Sequence, residues 1–98
     1  MGKFESPFGA VELTEERERH ILVFHPEVRR YKNHFPNTLA HPQFIRRSTY
    51  DPAVYIFYGL VPTKKYLAIV VKTSNRNFIL TAYLTKIQKQ INYFLLIT

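Results

Sequence analysis

The strongest constraint on this chain is a change of period. From residue 53 onward, three runs of branched and aromatic residues, Ala53–Leu60, Tyr66–Thr73 and Phe78–Thr85, are separated by short polar stretches. Val, Ile, Phe, Tyr and Thr suit a pleated, half-buried surface. Pro62-Thr63-Lys64-Lys65 and Ser74-Asn75-Arg76-Asn77 carry the residues that turns demand. Connections this short join antiparallel neighbours, because a parallel return needs a dozen or more residues. A meander is predicted, and Phe44–Thr49, followed by the turn signal Asp51-Pro52, adds a fourth strand.

Upstream the pattern is helical. Phe4–Leu13 reads as a short hairpin or an extended lead-in, with Ser6-Pro7-Phe8-Gly9 at its turn. Thr14 is an N-cap, since its hydroxyl can accept a backbone amide of the first turn. Glu15 and Glu16 follow it, where negative charge meets the positive end of the helix dipole. The helix is predicted from Glu15 to Phe24, because Pro26 disfavours helical geometry at His25. Arg17, Ile21, Phe24 and Val28 form its core-facing stripe. Pro26 can open a second short helix to Tyr31, and Lys32–Pro42 reads as a loop or an irregular turn of helix. The expected fold is therefore α+β: one domain over residues 1–98, with N-terminal helices packed on a four-stranded antiparallel sheet. Its core lies at about residues 10–87, and Ile91–Ile97 in the tail suits a strand, a helix or a partner-binding segment.

Charge divides the chain. Residues 1–27 hold six acids against three bases, a net of −3, whereas residues 28–98 hold eleven bases against Asp51 alone, a net of +10. Such a segment concentrates anions and binds phosphate backbones in a salt-dependent way. A solvated surface that keeps the protein soluble explains the same charge. RNA is the leading candidate for the polyanion.

Several chemistries are excluded. The chain has no cysteine, hence no disulfide framework and no thiolate metal site. His20, His25, His34 and His41 show no His-x3-His spacing on one helix, and only one acid follows residue 27, so no metal or cofactor is expected. With three glycines there is no phosphate loop, and no Gly-x-Ser-x-Gly elbow occurs. Apolar runs such as Tyr66–Val71 and Tyr93–Ile97 are far too short to span a membrane. Met1–Pro7 lacks a signal peptide's apolar stretch, so a cytoplasmic protein with no membrane role is expected.

What remains is attack by a ribose 2′-OH on its own phosphate, which needs a proton acceptor, a proton donor and cations. Strict alternation puts Phe78, Leu80, Ala82 and Leu84 on a core face and Thr81, Tyr83 and Thr85 on the other. With Lys72, that polar row can grip phosphate and stack a base, and Arg46, Arg47 and Arg76 can contribute. It also suits the plain solvent face of an antiparallel sheet. His20 lies one residue off the apolar stripe, and imidazole is suited to proton transfer near neutral pH. A hydrogen-bonded boundary histidine is the simpler alternative.

The run Arg17-Glu18-Arg19-His20-Ile21, followed by His25-Pro26-Glu27-Val28, resembles the first-helix pattern of small phage- and toxin-type nucleases. These belong to the barnase/EndoU/colicin/RelE-like (BECR) superfamily. The likeness continues through Pro42-Gln43-Phe44-Ile45-Arg46-Arg47-Ser48 with Asp51, then Phe57-Tyr58, then Val70-Val71-Lys72 and Leu80-Thr81-Ala82-Tyr83-Leu84-Thr85. It implies helices on a four-stranded antiparallel sheet and metal-independent RNA cleavage through a 2′,3′-cyclic phosphate. His20 would match the helix histidine acting as general acid or base. Arg46, Ser48 and Lys72 would match phosphate-binding positions, and Thr81, Tyr83 and Thr85 the polar row of the last strand.

The candidate catalytic residues are His20, Tyr83 and Lys72, and the candidate RNA-binding residues are Arg46, Arg47, Ser48, Arg76, Thr81 and Thr85. The leading expectation is a metal-independent endoribonuclease, possible as a toxin with an acidic antitoxin or immunity protein as partner. Two alternatives stay open: a non-catalytic RNA- or DNA-binding module, and an interaction protein that oligomerises through its apolar C-terminal tail.

Overall fold

In the computed structural model, which describes residues 2–86 and 94–95, the Thr14 hydroxyl accepts the Arg17 amide at 3.1 Å. It starts helix α1, Glu15–Phe24, and such a cap is worth about 1 kcal/mol. At the other end the His25 amide bonds the Ile21 carbonyl at 2.7 Å, and Pro26 turns the chain into a 3-10 segment, Pro26–His34. That segment kinks at Tyr31 and leads into helix α2, Phe35–Ala40.

The sheet is mixed and larger than the sequence predicts. Among the described residues it has seven strands: β1 Gly2–Phe4, β2 Val11–Leu13, β3 Phe44–Arg47, β4 Val54–Val61, β5 Lys65–Lys72, β6 Asn77–Thr85 and β7 Phe94–Leu95. Their order is β1-β2-β6-β5-β4-β3-β7. The strands β3 to β6 are antiparallel neighbours. The four-stranded antiparallel expectation is nonetheless overturned. The hairpin β1–β2 extends the β6 edge, and β2 pairs with β6 in parallel through Val11↔Asn77 and Glu12↔Phe78.

Side chains rather than strand propensity hold that parallel pair. Asn77 Nδ2 donates to the Phe8 carbonyl at 2.9 Å and the Ala10 carbonyl at 3.3 Å, and Arg76 grips Glu12 at 2.6 Å. The turn before β2 is closed by the Gly9 amide on the Ser6 carbonyl, and Gly9 takes a φ of +99° that other residues rarely adopt. Beyond β3 the two-residue β7 pairs antiparallel with Ile45 and Arg46. The rest of the tail read as Ile91–Ile97, and with it any role in oligomerisation, lies outside the described residues.

The sheet has two faces with different cargo. On one, Ile45, Phe57, Leu67, Ile69, Val71, Ile79 and Ala82 meet Ile21, Val28, Tyr31, Phe35 and Leu39 from the helical layer. Burying each large aliphatic here contributes roughly 1.5–3 kcal/mol. On the other, Ile56, Tyr58 and Ala68 are buried among Phe44, Tyr66, Val70 and Tyr83.

Two details of the predicted faces are corrected. The pairing of Val70 with Thr81 and of Val71 with Ile79 leaves Leu80 as an extra residue, a bulge that flips parity. Ile79, not Phe78, therefore enters the core, while Phe78 is an exposed large hydrophobic residue. On α1, Ile21 is buried but Phe24 is 65% exposed, because the helix stops there and Val28 returns to the core from the next segment. No helix among the described residues is long and apolar enough to cross a membrane.

Candidate functional site

Cross-strand register assembles the most chemically capable group. Tyr58, Ala68 and Tyr83 lie opposite one another on β4, β5 and β6, all facing the second side of the sheet. Ala68 is small enough to let the two phenols approach above it, so Tyr83 acts directly on the Tyr58 hydroxyl. Tyr58 is only 2% exposed, and burial, with Tyr83 beside it, pushes its hydroxyl up to about 12. Arg46, on β3 opposite Ile56, adds positive charge next to Tyr58 and partly offsets that rise. Its Nε is buried and has no hydrogen-bond partner, a donor with no acceptor to satisfy it.

The histidine that meets Tyr83 is His25. It caps the C-terminus of α1, and its ring centroid lies 6.0 Å from that of Tyr83. Its Nδ1 stands 3.5 Å from Glu27 Oε2, and its side chain stays 36% exposed. Pro26 causes this arrangement, since it ends the helix at His25 and puts Glu27 two residues on. A carboxylate, an imidazole and two neighbouring phenols thus form one array, Glu27–His25···Tyr83–Tyr58, with Arg46 at its inner end.

His20 lies elsewhere on the helix. It is exposed, and its ring packs 4.6 Å from that of Phe24 one turn on. The same side of α1 carries Arg17, which lines a groove with Phe78 and Ile79 of β6. Contact with β6 near both Arg17 and His25 means that helix and strand run side by side. Eight helical residues rise about 12 Å, close to the roughly 13 Å between Ile79 and Tyr83 on a strand.

The remaining candidates disperse. Lys72 shares the face of Tyr83 but pairs opposite Phe78, four positions from Ala68 along β5, or about 13 Å. Its Nζ is held by Asp51 Oδ2 at 2.5 Å, and this contact keeps the Asp51 carboxyl below its usual range. Arg76 is bound to Glu12, whose carboxyl is lowered by it in turn. Arg47 faces the helical side, where it donates to the Tyr55 hydroxyl at 2.9 Å and lies over the Tyr55 ring. Ser48 Oγ accepts the amides of Tyr50 and Asp51 and so builds the turn before β4. Thr81 and Thr85 lie on the Tyr83 face, opposite Val70 and Tyr66, and Thr85 donates to the Lys86 carbonyl at 3.2 Å.

Sequence reasoning thus missed His25, Glu27 and Tyr58 as site residues. The signal for the first two was His25-Pro26-Glu27 itself, which fixes where the helix must end. Tyr58 needed only the hairpin register through Ala68. Among the described residues no three His, Asp or Glu converge as a ligand set for a metal ion. No family model, curated protein or solved structure matches this chain.

Proposed function

We propose that this protein is a metal-independent endoribonuclease that cleaves RNA by attack of a ribose 2′-OH on the adjacent phosphate. The observation that carries this reading is the Glu27–His25···Tyr83–Tyr58 array beside Arg46, which brings His25 and Glu27 from the N-terminal segment against Tyr83, Tyr58 and Arg46 of the segment of net charge +10. The sequence resemblance to the BECR superfamily implies the same reaction, with its proton-transferring histidine at His20 rather than His25.

In the proposed reaction His25 takes the proton of the 2′-OH at Nε2 as the O2′–P bond forms. Glu27, on the Nδ1 side, stabilises the imidazolium so produced. Tyr83 gives its proton to the departing 5′-oxygen as the P–O5′ bond breaks, and Tyr58 donates to the phenolate left behind. Arg46 neutralises the charge that develops on the phosphorane oxygens. The products are a 2′,3′-cyclic phosphate and a 5′-hydroxyl. Lys72 and Arg76, already held by carboxylates, serve the integrity of the sheet in this scheme. An acidic antitoxin or immunity protein is the kind of partner that would mask such a surface.

The test is incubation of the protein with mixed RNA in EDTA beside His25→Ala and Tyr83→Phe. Cyclic-phosphate ends that vanish in the variants are expected. Intact RNA bound in a salt-sensitive manner would identify a binding module instead, and neither cleavage nor binding would end the nucleic-acid reading.

A further inference from the structure

The site accounts for His25 but leaves an exposed aromatic pair beside it unexplained. Phe24 is 65% exposed, and its ring packs 4.6 Å from that of His20 at a tilt of 44°. Neither ring belongs to the hydrophobic core. They stand on the flank of α1 that runs along β6, between the groove lined by Arg17 and Phe78 and the His25–Tyr83 contact. Phe24 and His25 are consecutive residues, so the pair stands at the end of α1 that carries the site. Of the carboxylates of the groove, Glu12 is already held by Arg76, and Glu16 lies one turn of α1 before His20.

We infer that the His20–Phe24 pair is a stacking platform for an unpaired nucleobase, so the substrate is single-stranded RNA. This rests on the ribonuclease reading for the position of the scissile phosphate, at His25. Flat, exposed rings beside cationic groups recognise bases without reading their edges. A base in a duplex presents no free face to them, so the platform selects unpaired RNA. It also gives a role to the exposed His20, which lies too far along the helix to be the residue that meets Tyr83.

The test uses a fluorescent single-stranded 2′-O-methyl RNA, which lacks the nucleophile and cannot be cleaved, with the full chain at fixed salt. Phe24→Ala is expected to weaken binding by about ten-fold or more, while Phe24→Trp retains it. An abasic strand of equal length should bind weakly and ignore both substitutions. Equal affinity of Phe24→Ala and the parent for the base-bearing strand would overturn the inference. So would a loss that the abasic strand shares. A Phe24→Ala protein that changes its own oligomeric state instead would show the patch to be a protein contact and overturn it too. Because the probe cannot react, stacking without cleavage of ordinary RNA would remove the ribonuclease reading and keep the platform. Cleavage with Phe24-independent binding would do the reverse.

Discussion

The imidazole of His25, not that of His20, meets the ring of Tyr83, with 6.0 Å between centroids. The two histidines therefore separate kinetically. His25→Ala should lower kcat/KM for RNA by about 10²–10⁴-fold. His20→Ala should act mainly on KM, through weaker stacking, and leave kcat nearly unchanged. Steady-state cleavage of a labelled RNA by both variants checks this, and equal kcat losses would contradict it.

The buried Tyr58 supplies a pH signature. Its hydroxyl is pushed up to about 12 from an ordinary 10.0, chiefly by burial. The folded state then holds a proton that the unfolded state has released. The stability this contributes is fully present below pH 10 and is lost as pH rises through about 12. Absorbance titration of tyrosinate should show one late-titrating group that disappears in Tyr58→Phe. Denaturant unfolding between those limits should lose part of its pH slope in the same variant.

Acid should act through three ion pairs. The Glu12, Glu18 and Asp51 carboxyls are held below their usual range by hydrogen bonds from Arg76, Lys32 and Lys72 respectively. Stability from these contacts is present above the ordinary carboxyl values of 4.5 and 3.8 and is lost as pH falls through the lowered ones. Melting temperature followed down from neutral pH should fall in that window. In Asp51→Asn the fall should be shallower, because one of the three titrations is gone.

Gly59 of β4 leaves no room for a side chain beneath Thr38 of α2. A Cβ there would overlap Thr38 Oγ1, and Thr38 is itself buried. Gly59→Ala should destabilise the fold by about 1–3 kcal/mol. The same change in a Thr38→Ala background should cost less, since the hydroxyl and methyl in the way are gone. A double-mutant cycle from urea unfolding measures that coupling, and strict additivity would contradict the account.

How far the fold could be read from the sequence depended on whether its causes were local. Thr14 and Pro26 bracket α1 within their own neighbourhoods, so both ends of that helix agree with prediction. The turns at Pro62 and Ser74 likewise set the β4–β5–β6 hairpins. The parallel β2–β6 pair depends on Asn77 and Arg76 reaching back to Phe8, Ala10 and Glu12, more than sixty residues away. No local pattern encodes that contact. The bulge at Leu80 is equally silent, and it swaps Ile79 for Phe78 in the core. Among site residues, Tyr83 and Arg46 were legible from strand parity and charge. His25 was visible only as the place where α1 must end, because the approach of the α1 C-terminus to β6 is tertiary.

The central claim is that a ribose 2′-OH is the nucleophile and His25 its proton acceptor. The most direct measurement uses an oligodeoxynucleotide carrying a single ribonucleotide, in EDTA, with the parent protein and His25→Ala. The account predicts one cut, on the 3′ side of the ribose, leaving a 2′,3′-cyclic phosphate, and no cut when that sugar is 2′-deoxy or when His25 is alanine. Cleavage of the all-deoxy strand, or undiminished cutting by His25→Ala, would contradict it.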